Sequence, residues 1–352
     1  MSGLLNAVVV AIAIAGMFLL LIAPHEAGHF LLAKLFKVHV IEFSIGAGTR
    51  LWSMTRNGTL YAIRLIPVIG YVRMGGMEAG DFDEPNGFHS KNPLQRIAIL
   101  LAGPMANFVV AALLVTGLNL THVNSDPGKI GAIVKDSPAA AAGLQAGDSI
   151  RTVNGTPMKA ATDLQKAAGA GVPVVITGVH PDGTRFSLQV SPNCSTGPCR
   201  IGVFITPTET LQTALHDGVT FPLTAFNVIW QGLESLVTGQ VPGGLFGKEG
   251  LTGPIGIAAV TYTAVNQGPD DYIVLVAILS VALGVTNLLP LLALDGGRIV
   301  VVVIEWLRRR PFDRNSELNF QRWGLVALLA LAVVISFLDI QRIATGQFNG
   351  VH

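Results

Sequence analysis

Four stretches of this 352-residue chain carry no Lys, Arg, Asp or Glu: residues 1–25, 97–125, 272–294 and 323–338. A helix that crosses a bilayer needs about 20 apolar residues, because lipid offers no partner for its backbone N–H and C=O groups. The first three stretches meet that length. The fourth is shorter but opens on Trp323, a residue type that anchors helices at the membrane interface. Charged residues make up 13% of the chain and apolar residues 50%, against about 25% charged in an ordinary soluble domain. A net charge of +1 without a concentrated basic patch speaks against nucleic-acid binding. The first stretch lacks a basic n-region and an A-x-A site, so it reads as a retained span rather than a signal peptide.

Lys and Arg near the ends of spans set orientation. Residues 34–96 hold Lys34, Lys37, Arg50, Arg56, Arg64, Arg73, Lys91 and Arg96, and the connection before the last span holds Arg308, Arg309, Arg310, Arg314 and Arg322. Both belong on the cytoplasmic side, which leaves the 122–271 insert outside. Residues 251–267 are apolar but broken by Gly253, Pro254 and Gly256, and read as an interfacial or re-entrant piece.

The expected division is span 1 (1–37), a membrane-associated β-hairpin with a cytoplasmic loop (38–96) and span 2 (97–121). A soluble α+β domain (128–206), an amphipathic or interfacial segment (207–271), span 3 (272–307) and span 4 (322–345) follow. Residues 40–45 and 60–65 read as strands, and Asn57-Gly58 is a hairpin signal, since a type I′ turn needs φ > 0 at both central residues. Residues 76–92, with Glu78, Asp81, Asp83 and Glu84, read as a solvated loop. Pro222 is expected to split the amphipathic stretch 208–239, which would lie on the outer membrane surface.

Chemistry is concentrated in His25-Glu26-Ala27-Gly28-His29. Positions i and i+4 share a helix face, so both imidazoles can reach one Zn²⁺, with Glu26 beside it to take a proton from bound water. Ionisable groups in a spanning helix cost several kcal/mol unless paired or functional, which weighs against two idle core histidines. A catalytic zinc site wants a third protein ligand and an open position. The best candidate is Asp295, in Leu294-Asp295-Gly296-Gly297, read as a lone acid interrupting the apolar helix of span 3. His39, His89, His122, His180, His216 and His352 read as ordinary surface or interfacial residues. Cys194 and Cys199 are too few for a zinc ribbon; an exported domain favours a disulfide between them, free thiols being the alternative.

In this order the motifs resemble those of the site-2 proteases, bacterial intramembrane zinc metalloproteases with one PDZ domain. HEAGH lies in the first span, followed by a hairpin ending in Gly70-Tyr71-Val72-Arg73-Met74-Gly75-Gly76. Arg96, Gly103-Pro104-Met105-Ala106-Asn107, the soluble domain, Asn287-Leu288-Leu289-Pro290 and Leu294-Asp295-Gly296-Gly297 complete the pattern over roughly residues 15–310. Ile69-Gly70 stands where family members often carry a Gly-Gly pair.

The resemblance implies an α-helical polytopic membrane protein with about four spans, a cytoplasmic-side β-hairpin and an inserted extracytoplasmic α+β PDZ domain. It implies Zn²⁺ held by His25, His29 and Asp295, with Glu26 as general base. Asn107 and Asn287 would help place the substrate backbone, and the hairpin edge would take the substrate as an added strand. Substrates would be single-pass membrane proteins trimmed by another protease, of the anti-sigma-factor or signal-peptide-remnant type, and the location the bacterial inner membrane. Two rivals are a non-catalytic membrane scaffold, which predicts decay of this residue set, and a proton-relay transporter, which would show inverted repeats that this sequence lacks.

Overall fold

The computed structural model describes residues 3–77, 81–195, 198–241, 244, 247, 250–291 and 293–345. The chain opens with helix α1 (Gly3–Leu35), followed by strands β1 (Val40–Arg56) and β2 (Thr59–Met74), a short 3-10 turn (Phe88–Ser90) and helix α2 (Pro93–Thr121). Then come β3 (Ile130–Ile133), α3 (Pro138–Ala141), β4 (Ser149–Val153), β5 (Thr156–Pro157), α4 (Ala161–Gly169), β6 (Val174–Val179), β7 (Arg185–Val190) and β8 (Val203–Ile205). Helices α5 (Leu211–Val237), α6 (Pro254–Gln267), α7 (Pro269–Leu288), α8 (Asp295–Arg308) and α9 (Arg314–Ala344) complete it. Two compact units result: residues 1–118 with 217–352, and residues 119–216.

In the first unit, α1, α2, α7 and α9 are each long and apolar enough to cross a membrane. Met17, Leu21 and Val276 bury a seam between α1 and α7, and Ala111, Val115, Ala225, Ala277, Val281 and Val285 bury a second one joining α2, α5 and α7. The expected split at Pro222 is corrected here. Pro222 lies inside one continuous α5, and α5 packs its Phe221, Phe226, Ile229 and Leu233 side against α2 and α7. The proline removes one backbone donor, a loss that packing against neighbouring helices offsets.

The expected single span over 272–307 is also corrected. Helix α7 stops at Leu288, Leu289 turns extended (φ −62°, ψ 144°), and α8 starts afresh at Asp295. Pro290 is the physical cause, because a proline disfavours the helical conformation of the residue before it. A β-carbon on Gly296 would collide with the Leu288 and Leu289 carbonyl oxygens, so the new helix starts against the end of the old one. Asp295 is therefore the first residue of an amphipathic helix, where the helix dipole favours a negative charge, rather than an acid within an apolar one.

Strands β1 and β2 exceed the expected lengths. Asn57 (φ 49°) and Gly58 (φ 73°) form the tight turn between them. Residues 42–45 pair with both 60–63 and 70–73, while 60–63 pair again with 52–55. Each strand therefore doubles back, and the ladder order is 70–74, 40–47, 59–66, 50–56, with the first and last as edges among the described residues. The loop that follows is less solvated than expected: Phe88 is buried, its N–H donates to the Gly75 carbonyl, and Glu84 reaches His39 Nδ1 at 2.8 Å. Glu78 lies outside the described residues.

Helix α8 is pinned by a buried ion cluster. Glu305, 6% exposed, holds Arg96 of α2 at 2.8 Å and Arg314 of α9 at 2.7 Å. Asp339 of α9 accepts from the Gly253 and Gly256 N–H groups at 2.9 Å each, tying α9 to the start of α6.

The second unit has β8 antiparallel to β3, a sheet ordered β5-β4-β6-β7, and a core of Ile130, Leu144, Ile150, Leu164, Val174, Ile176 and Val190. Ser137 caps α3 by accepting from the Ala140 N–H. Cys194 and Cys199 are joined by a disulfide. A cavity of about 320 Å³ lies beside α4, walled by Leu164, Gln165 and Ala168 on one side and by Val203, Phe204 and Ile205 of β8 on the other.

Breaking the Glu305 cluster is expected to be costly. Glu305→Ala leaves Arg96 without its buried partner and Arg314 with Glu317 alone, and should destabilise the helical unit by about 3–5 kcal/mol. Thermal unfolding in detergent checks this, with an unchanged midpoint as the contrary result.

Candidate metal centre

The site starts from the spacing of two histidines on α1. His25 Nε2 and His29 Nε2 lie 3.2 Å apart, one turn from each other on the same face. The break after α7 delivers the third group: Asp295 Oδ2 stands 3.2 Å from His25 Nε2 and 3.2 Å from His29 Nε2. Both histidines are buried, 7% and 6% exposed, and Asp295 is slightly more open. Among the described residues this is the one group of three or more His, Cys, Asp or Glu side chains with donor atoms close enough for a metal ion.

The donor set fits zinc. With Zn–N and Zn–O bonds of about 2.0–2.1 Å, the edge of a coordination tetrahedron is about 3.3 Å, and the three donor atoms form a triangle of that size. Two nitrogens and a carboxylate oxygen also leave a fourth vertex for water or substrate. The Ile99 carbonyl accepts from His29 Nδ1 at 2.8 Å, which puts the proton on Nδ1 and turns the Nε2 lone pair toward the triangle. Among the described residues, His25 Nδ1 is buried without a hydrogen-bond partner, and Asp295 Oδ2 is buried facing only the two imidazole Nε2 atoms.

Close helix approach makes the arrangement possible. A β-carbon on Gly28 would collide with the Ala102 carbonyl of α2, and one on Gly103 would collide with His29 Nε2. The Ile99 carbonyl and the Gly28 and Gly103 contacts were not anticipated. A backbone acceptor has no sequence signature, and the small-residue pair was visible only as part of a motif.

Glu26 lies on the same turn, next to β2: a β-carbon on Gly70 would fall 2.8 Å from Glu26 Cγ and 2.7 Å from Ile22 Cγ2. The 70–74 edge of the sheet therefore passes directly beside Glu26. Asn107, fully buried, sits one turn beyond Gly103, and its carbonyl accepts from Ser280 Oγ of α7 at 3.0 Å. Among the described residues, its side-chain amide meets no hydrogen-bond partner. Asn287 donates within its own helix to the Leu283 carbonyl at 3.0 Å. The structure thus brings His25, His29 and Asp295 together, with Glu26 adjacent, and no hydrogen bond joins either asparagine to them. His89, expected at the surface or interface, is half-buried; burial and the nearby Arg314, Arg96 and Arg298 push its imidazole down to about 3.

Comparison with known proteins places the chain among zinc metalloproteases. The chain is 29% identical to the zinc metalloprotease RasP of Bacillus licheniformis over 96% of its own length and all of that protein. It is 29% identical to the regulator of sigma-W protease RasP of Bacillus subtilis, covering 91% of this chain and 95% of the relative. A Clostridium acetobutylicum protein with a provisional zinc-metalloprotease name is 30% identical over 95% of this chain and 97% of its own. Residues 13–331 match the model of peptidase family M50, and that span runs from the first helix through the α7–α8 break into the last: the chain belongs to peptidase family M50.

Proposed function

We propose that this protein is a zinc-dependent endopeptidase that cleaves single-pass membrane proteins within the bilayer, with His25, His29 and Asp295 as metal ligands. The observation that carries the reading is the 3.2 Å triangle that the Asp295 carboxylate oxygen forms with two imidazole nitrogens of α1, a helix apolar enough to span a membrane. Zinc held by His25, His29 and Asp295 would supply Lewis acidity toward water and toward the carbonyl to be attacked. Glu26 takes the proton of the attacking water and passes it to the departing amide nitrogen. Asn107 and Asn287 hold the substrate backbone as its helix unwinds; the unpaired, buried Asn107 amide supports this role.

The scissile segment adds as a strand to the 70–74 edge, which lies beside Glu26. The substrates are membrane-bound regulators of the anti-sigma-factor type, or signal-peptide remnants, already trimmed outside. The basic connections face the cytoplasm of a bacterium, and the 119–216 unit lies outside the inner membrane as a PDZ domain that excludes untrimmed substrates by bulk. The cavity between α4 and β8 favours a second role for that unit, peptide binding. The groove would run along β8.

Glu26→Gln should abolish cleavage in reconstituted vesicles while about one zinc per chain is retained, since the ligand set is untouched. His29→Ala and Asp295→Ala should lose both metal and activity. Retained cleavage in Glu26→Gln would end the protease reading.

Orientation is tested by single cysteines in a background lacking Cys194 and Cys199. Positions 86 and 315 should resist an impermeant thiol reagent in intact cells, and position 160 should react. The bulk role is tested by replacing residues 128–206 with a short linker. The shortened enzyme should cut substrates that keep their outer domains, whereas loss of all cleavage with zinc retained would favour peptide binding.

A further inference from the structure

The strand that runs along the middle of the hairpin sheet has an unusual buried face. Burial alternates over Val40, Glu42, Ser44 and Gly46, so two of the four inward residues are polar and one is a carboxylate. Glu42 is 8% exposed and Ser44 fully buried. A buried carboxylate without a partner costs several kcal/mol, so something must hold it.

Arg64, on the neighbouring strand, does so with four hydrogen bonds. Its Nη2 donates to Glu42 Oε1 at 2.7 Å and to the Tyr71 hydroxyl at 2.9 Å, its Nε to Ser44 Oγ at 2.9 Å, and its Nη1 to the Gly48 carbonyl at 2.8 Å. The Tyr71 hydroxyl in turn donates to Glu42 Oε1 at 2.8 Å. One guanidinium thus spans three strands and the bend at Gly46–Gly48, where φ is 96° and 82°. Tyr71 is the far end of this reach. It belongs to the 70–74 edge, next in sequence to Gly70, which touches Glu26.

We propose that Arg64, with Glu42 and Tyr71, is a positioning device that holds the 70–74 edge in register with Glu26, and so sets how tightly an extended substrate binds without taking part in the chemistry. This deepens the strand-addition reading above and rests on it. A preformed edge strand saves the substrate the ordering of its partner, and that saving appears in KM. Arg is required for this because its planar fork meets several acceptors at fixed angles, whereas a lysine ammonium is a single point donor centre.

Burial raises the Glu42 carboxyl, but the hydrogen bonds from Arg64 and Tyr71, helped by the charges of Arg64 and Arg50, outweigh it and hold the group below the usual carboxylate range. A depressed value means the tie is fully formed above the ordinary carboxylate pKa and is lost as pH falls through the lowered one. Wild-type KM should therefore be flat from neutral pH down to about pH 5. Without Arg64, burial is left less opposed and KM should rise at a higher pH.

The test uses the full chain in nanodiscs. The probe is a dye-labelled single-span peptide with an Ala-Leu core broken by Asn-Pro, and a second copy N-methylated on the backbone amides around the break. Tyr71→Phe, which removes only the side-chain tether of the edge strand, should raise KM about fivefold with kcat and zinc content unchanged. Arg64→Met should raise it about tenfold or more, and Arg64→Lys should fail to restore it. Wild-type KM in both variants, or a fall in kcat or zinc with KM constant, overturns the positioning role. If the N-methylated peptide is cleaved as well as the plain one, strand addition itself fails. If N-methylation blocks cleavage while Tyr71→Phe and Arg64→Met bind normally, strand addition stands and the role of Arg64 is rejected.

Discussion

The helical unit is organised around the close contact of α1 and α2. Two imidazoles and a carboxylate on a bilayer-spanning scaffold are tolerable only if they face one another and are shut away from lipid. Gly28 and Gly103 let the helix backbones meet, and that contact brings the Ile99 carbonyl within 2.8 Å of His29 Nδ1. The hydrogen bond fixes which nitrogen of His29 points inward, and the triangle with His25 and Asp295 follows from it. A bulkier residue at Gly103 would occupy the space of the His29 ring itself, so helix packing and metal chemistry compete for the same few ångströms.

The remaining features bring Asp295 and the sheet edge to that contact. Pro290 ends α7 and lets α8 begin on Asp295, while Glu305 anchors the other end of α8 between Arg96 and Arg314. The sheet presents its 70–74 edge to Glu26 because Gly70 has no side chain to keep it away.

Legibility in the sequence followed the physics of each element. HEAGH could be read because i and i+4 always share a helix face, and the Asn57-Gly58 turn because few residue pairs accept two positive φ values. The four long apolar helices were visible in the gaps between charges. The break before Asp295 was masked: 272–294 is uninterrupted by charge, and Pro290 alone was outweighed by hydropathy, although the rule for residues preceding proline pointed to it. Helix α5 was misjudged at Pro222 for the opposite reason, since packing on α2 and α7 overrides a local breaker. The doubling of β1 and β2 depends on bends at Gly46 and Gly48 and on pairings between residues far apart, which no local pattern encodes.

The donor triangle joins residues 25, 29 and 295, so the chain between its first and last members is 270 residues long, 295 minus 25. At roughly 5–20 residues per second, a ribosome needs about 15–55 s to make that stretch. Until α8 has emerged, the helix carrying His25, Glu26 and His29 lacks its third partner and the proposed centre is incomplete. A protease whose proposed ligands lie 270 residues apart is inert while that stretch is made, although it already lies in the same bilayer as the segments it is proposed to cut.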